Sequence, residues 1–109
     1  MADIDTAFIG GSGLYKMGNL TNVEELEIDT PFGSPSDKIV VGSLDNNTVA
    51  FLPRHGRGHV YSPTKIPTRA NIYALKSIGT KRIISVSAVG SLHEAIHPLD
   101  IVIPDQIID

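Results

Sequence analysis

A chain of 109 residues, 41% apolar and 19% charged, is long enough for one domain that buries about two-thirds of its unfolded surface, and too apolar for a disordered segment. Its formal charge of −3 argues against a general affinity for nucleic acid or anionic membrane, because both reward a surplus of Lys and Arg spread over a face. It has no cysteine, hence no disulfide and no thiolate metal site of its own, and no run approaches the roughly 18 apolar residues of a spanning helix, so a cytoplasmic protein without a membrane partner is expected.

Along the chain, "TAFIGG" is a short apolar run broken by glycines, the pattern of a buried strand that leaves through a tight turn. The stretch from Thr21 to Asp37 is polar and rich in turn formers, with Pro31, Gly33 and Pro35 close together, and is expected to be a loop with one short strand at Glu25 to Ile28. "DKIVVGSL" and "NTVAFL" flank "DNN", whose Asp and Asn residues tolerate left-handed backbone and predict a hairpin. Between Pro67 and Ile78 the apolar residues Ala70, Ala74, Leu75 and Ile78 recur at helical spacing, with Pro67 suited to the first turn and Gly79 to the residue past the end. The β-branched run "KRIISVSAVGS" predicts a strand, and "DIVIPDQIID" another, interrupted by Pro104. Strands alternating with a helix, plus a hairpin, give an α/β fold with a mixed sheet. The sequence stops where a strand-to-helix connection is expected, so residues 1–109 read as the N-terminal part of a single longer domain.

Three loops follow apolar runs: "GGSGLY" at Gly10 to Tyr15, "RHGRGH" at Arg54 to His59, and "SAVGS" at Ser87 to Ser91. In open α/β sheets the ligand crevice lies outside the carboxyl ends of the strands, so these loops can converge. Their chemistry is complementary. Glycine-rich backbone presents N–H donors, the Ser12 and Ser87 hydroxyls add neutral donors, and Arg54 supplies a planar charged fork, which together suit an anion the size of phosphate.

Plainer explanations stand beside this one. "GGSG" lacks the third glycine of a dinucleotide fingerprint and the Lys of a Walker loop, so it can be a simple turn. "SAVGS" can be small residues packed beneath a helix, and Arg54 can be a structural cation paired with a nearby aspartate. The four-residue spacing of His55 and His59 resembles a zinc motif, but Gly56 and Gly58 disfavour the helix it requires and no Glu follows His55, so no metal is expected. His93 and His97, ahead of Pro98, read as surface or capping residues.

The segments "IGGSGLY", "TPFGSPSD", "PRHGRGH", "SPTKIPTRANIYALKSIG", "SVSAVGSL" and "DIVIPDQIID" occur in the same order in 5′-methylthioadenosine phosphorylases of the purine nucleoside phosphorylase family, which the chain resembles over essentially its whole length. The resemblance implies an α/β sandwich around a mixed, partly barrel-like sheet, assembled as a trimer, with phosphate, ribose and purine pockets side by side. It implies phosphate ligands at Ser12, Arg54, His55, Ser87 and the backbone of Ala88, with Arg57 and His59 close by in a second tier. Ser12 and Ser87 stand where some members have threonine, which keeps the hydroxyl donor. Family members are considerably longer, and their ribose-side methionine and adenine-reading aspartates lie beyond this stretch.

The implied reaction is attack of inorganic phosphate on C1′ of 5′-methylthioadenosine, releasing adenine and forming 5-methylthioribose 1-phosphate, with phosphate as co-substrate and no cofactor or metal. The alternatives are a sister phosphorylase acting on inosine, guanosine or methylthioinosine, and a non-catalytic phosphate-binding or assembly module. Binding of nucleic acid through the basic loop is a further alternative that the acidic balance disfavours.

Overall fold

The structure, a computed structural model, describes residues 4–11, 20–56 and 62–107. Among them five strands form one mixed sheet in the order β2-β3-β4-β1-β5: β1 Thr6–Gly10, β2 Thr21–Leu26, β3 Ile39–Leu44, β4 Asn47–Pro53 and β5 Arg82–Ser85. One α-helix, α1 at Thr68–Ser77, links β4 to β5, preceded by a 3₁₀ turn at Pro63–Lys65.

Strand β1 lies between two parallel neighbours, pairing with β4 from Thr6↔Val49 to Gly10↔Pro53 and with β5 from Thr6↔Arg82 to Ile9↔Ser85. Its alternating side chains therefore serve both faces of the sheet. Ala7 and Ile9 join Ile4, Ile39, Ala50, Leu52, Ala74 and Leu75 in the core beneath α1. Phe8 turns the other way and packs on the cluster of Val40, Val49 and Phe51. Phe8 and Phe51 are register partners, so their rings stack with centroids 5.1 Å apart and planes at 16°.

The expected hairpin forms between β3 and β4. Asp45 and Asn46 have φ of 48° and 68°, the pair of left-handed residues that makes a type I′ turn and matches the twist of its strands. The strand expected at Glu25 to Ile28 begins earlier, at Thr21, and ends at Leu26, because its extent is set by the antiparallel ladder to β3. Nearly all of β2 is exposed, so it carries no alternation that a sequence pattern could reveal.

Helix α1 ends as its sequence indicates. Gly79 takes φ of 95°, its N–H donates to Lys76 O at 3.0 Å, and the Thr80 N–H donates to Leu75 O at 3.3 Å, the paired bonds of a Schellman motif. Ala70, Ala74 and Leu75 are buried on the sheet side, as their spacing requires, whereas Ile72 stays 43% exposed. The burial of Asn71 is not foreshadowed by the pattern. Its Oδ1 accepts the Ser36 N–H at 2.8 Å, and the Ser36 hydroxyl donates to Pro53 O at 2.6 Å.

The strand expected in "DIVIPDQIID" does not form among the described residues. Residues 100–107 make no ladder, and Ile101 and Ile103 are 93% and 91% exposed. A strand exists only where a neighbour takes up its N–H and C=O groups, and apolar alternation cannot supply that neighbour. The weight-bearing packing lies elsewhere: Leu75→Ala, at a site with no solvent exposure, is expected to cost about 2–5 kcal/mol in denaturant unfolding, and a loss below 1 kcal/mol would contradict the core described above.

Candidate functional site at the carboxyl ends of the parallel strands

Because β1, β4 and β5 run parallel, their carboxyl ends meet at one edge of the sheet. The ladder continues one step beyond each strand: Arg54 N–H donates to Gly10 O at 2.9 Å and Val86 N–H donates to Ile9 O at 2.8 Å. Gly11, Arg54 and Val86 thus leave the sheet side by side, and the three expected loops do start from a common edge.

Arg54 crosses that edge. Its Nη2 donates to Val86 O at 2.7 Å and Ser85 Oγ at 3.1 Å, with a longer contact to Ile9 O at 3.4 Å. The side chain rooted at the end of β4 therefore reaches past β1 to the end of β5. Guanidinium is planar and carries five N–H donors, so anchoring one terminal nitrogen fixes the orientation of the plane and directs the donors of Nη1 and Nε along its other edges. These Nη2 partners are two carbonyls and a hydroxyl. None is the carboxylate that a purely structural ion pair would use, and none cancels the cationic charge.

The turn that begins with Arg54 is tight. Gly56 has φ of 75° and its N–H donates to Pro53 O at 3.2 Å, which closes the sequence Pro53-Arg54-His55-Gly56. His55 is half-buried on this turn beside Arg54. Ser87 and Ala88 follow directly on Val86, whose carbonyl holds Arg54, and both are exposed. The structure thus brings Arg54, His55, Ser87 and Ala88 to one edge with Gly11. Ser12, Arg57 and His59 lie outside the described residues.

Sequence reasoning missed Ser85 and the carbonyls of Ile9 and Val86 as the seat of Arg54. A hydroxyl at the end of the β-branched run "RIIS" was the available signal, and carbonyls leave none. His93 and His97 serve local turns as expected: His93 Nδ1 accepts the Ala95 N–H at 3.2 Å, while the His97 N–H donates to Asp100 Oδ2 at 2.8 Å. A depression elsewhere is lined by Glu27, Asp29, Asp37 and Lys38, an acidic balance that does not suit a phosphate.

The family model of the phosphorylase superfamily matches residues 5–109. The S-methyl-5′-thioadenosine phosphorylase of Hyperthermus butylicus is 62% identical over 105 residues, covering 96% of this chain and 38% of its own. That of Thermosynechococcus vestitus is 60% identical over 101 residues, covering 93% of this chain and 35% of its own. The crystal structure of a methylthioadenosine phosphorylase sourced from an antarctic soil metagenomic library superposes with a TM-score of 0.86 at 58% identity, over 92% of this chain and 35% of that one. A methylthioadenosine phosphorylase from Schistosoma mansoni in complex with tubercidin gives 0.75 at 39% identity, over 84% of this chain and 33% of its own. The chain spans about a third of the length of these relatives.

The cross-strand seat of Arg54 has a measurable consequence. Arg54→Ala removes a charge-assisted donor worth about 1.5–3 kcal/mol, so amide exchange at Val86 is expected to accelerate by at least roughly tenfold while the centre of β4 is unaffected. Equal acceleration at both places, read by hydrogen exchange, would mean that Arg54 does not selectively hold the strand ends together.

Proposed function

Since the chain belongs to the phosphorylase superfamily, we propose that it forms the phosphate-binding part of an S-methyl-5′-thioadenosine phosphorylase, a pentosyltransferase. The observation that carries this proposal is the seat of Arg54: a guanidinium whose Nη2 is held, among the described residues, by neutral acceptors above the carboxyl ends of parallel strands, an arrangement suited to receiving an anion. Relatives at 62% and 60% identity carry that activity in their names.

In the proposed reaction a phosphate oxygen forms a bond to C1′ as the bond from C1′ to the purine breaks. The electron pair of that bond leaves with the purine, which takes up one proton to become adenine, balancing the proton that hydrogen phosphate gives up as it becomes the ester. The sugar passes through oxocarbenium character to 5-methylthioribose 1-phosphate. Phosphate is a co-substrate, and no cofactor takes part. The work of this part of the enzyme is to hold a dianionic nucleophile in line, by positioning and by fixed dipoles that need no reorganisation during the reaction. Arg54 engages phosphate oxygens through the donors its anchoring leaves directed outward. Ser12, His55, Ser87 and the Ala88 N–H complete the ligand set, with Arg57 and His59 in a second tier. Residues 1–109 serve as the N-terminal part of one domain, and purine recognition falls to the remaining length of such an enzyme. A cytoplasmic homotrimer in methionine and purine salvage is the corresponding setting.

In the complete enzyme Arg54→Ala is expected to raise the phosphate KM by roughly one to two orders of magnitude, from the worth of hydrogen bonds to charged groups, and His59→Ala by less. An unchanged phosphate dependence in the Arg54 variant would remove the assignment. Product analysis with methylthioadenosine and methylthioinosine is expected to give adenine release; hypoxanthine release alone would point to a sister phosphorylase. The isolated chain is expected to catalyse no phosphorolysis, and activity in it would show that base recognition lies within residues 1–109.

A further inference from the structure

The geometry points to Ser36 and Asn71 as positioning residues for the phosphate-facing turn, acting through the peptide that joins Pro53 to Arg54; this rests on the proposal that the strand-end edge binds phosphate. That peptide is gripped from both sides. Its carbonyl accepts the Ser36 hydroxyl at 2.6 Å and the Gly56 N–H at 3.2 Å, using both lone pairs, and its N–H donates to Gly10 O at 2.9 Å. Ser36 is in turn fixed by helix α1, because its own N–H donates to Asn71 Oδ1 at 2.8 Å.

Both residues are out of place by the rules of packing alone. Ser36 is 7% and Asn71 2% exposed, yet each is polar, and asparagine is a poor helix former compared with the leucine or alanine that a simple core position favours. A buried amide is tolerated when it makes its bond, and this one bonds to a loop 35 residues away rather than within its helix. Ala70, Ala74 and Leu75 lock α1 against the sheet, so Asn71 offers a rigid reference point. The path runs from helix to loop to strand end, and its last member is the backbone of Arg54.

The consequence is leverage. Arg54 projects its guanidinium across the sheet edge to Val86, and a small rotation of the peptide at its root becomes a larger displacement at the tip. A misplacement of about 1 Å can cost two orders of magnitude where alignment matters. Ser36 touches neither the strand-end acceptors of Arg54 nor the Ser87 hydroxyl in any hydrogen bond described above, so its influence on phosphate passes through the Pro53–Arg54 peptide.

The test is Ser36→Ala in the complete enzyme, with Ser36→Thr as the variant that restores the hydroxyl, and thermal unfolding to establish that both are folded. Calorimetric titration with inorganic phosphate gives Kd, and steady-state kinetics separates the KM for phosphate from that for methylthioadenosine. Ser36→Ala is expected to raise the phosphate Kd and KM about two- to tenfold while the nucleoside KM stays within about twofold; Ser36→Thr recovers most of the loss. In an Arg54→Ala background the same change is expected to have almost no further effect on phosphate Kd, since the group it positions is gone. Unaltered phosphate affinity, equal changes in both KM values, or full additivity with Arg54→Ala would each overturn the proposal. A parent enzyme that binds phosphate but releases no adenine overturns the substrate assignment alone, and the Kd series still decides the role of Ser36. A parent that binds no phosphate overturns both.

Discussion

The parallel pairing of β1 with β4 on one side and β5 on the other is the constraint from which the site follows. Parallel strands start together and finish together, so segments that are far apart in the chain must emerge at a common edge. An antiparallel partner would send its loop to the opposite end, as the β3–β4 hairpin does with Asp45 and Asn46. The site is therefore a product of strand direction before it is a product of side chains. Residues 10 and 53 face each other in register, and the basic turn and the serine-bearing loop inherit that alignment.

At that edge the carboxyl ends of the strands present carbonyl oxygens, which would be unsatisfied or hydrated without a donor above them. Arg54 answers this need with one nitrogen. The bond that satisfies Val86 O, with a longer contact to Ile9 O, which already accepts the Val86 N–H, aims the rest of the guanidinium, so structural and functional explanations of this arginine are compatible. An aspartate partner would have compensated the charge; the neutral acceptors seen among the described residues orient it without doing so. By contrast, the Arg82 to Asp5 ion pair at 3.0 Å is largely exposed and contributes little to stability or chemistry.

The two faces of the sheet divide the remaining work. One is closed by α1 through Leu75, one of the largest fully buried side chains, and through Ala70 and Ala74, small enough to let the helix lie close. The other carries the stacked Phe8 and Phe51. Strand β5 is exposed along its whole length, and apolar residues from Val89 to Ile107 are exposed beyond it. Order at the site thus rests on β1, β4 and α1. Ser36 and Asn71 connect these elements by hydrogen bonds where apolar contact alone would permit sliding.

Much of the fold was legible locally. The Asp45 and Asn46 turn, the Schellman stop at Gly79 and the apolar spacing of α1 are statements about short-range φ, ψ and period, which neighbouring residues set among themselves. The basic cluster behind "VAFL" was legible for the same reason, because charge following directly on a buried run marks a strand end. Tertiary structure alone decided which strands became neighbours, where β2 began, that residues 100–107 found no ladder among the described residues, and that Asn71 was buried. It also decided that Arg54 reached Val86, 32 positions away, and Ile9, 45 away. A hydrogen bond needs an acceptor at the right place, and over such separations that place is set by sheet order and register, which no local pattern encodes.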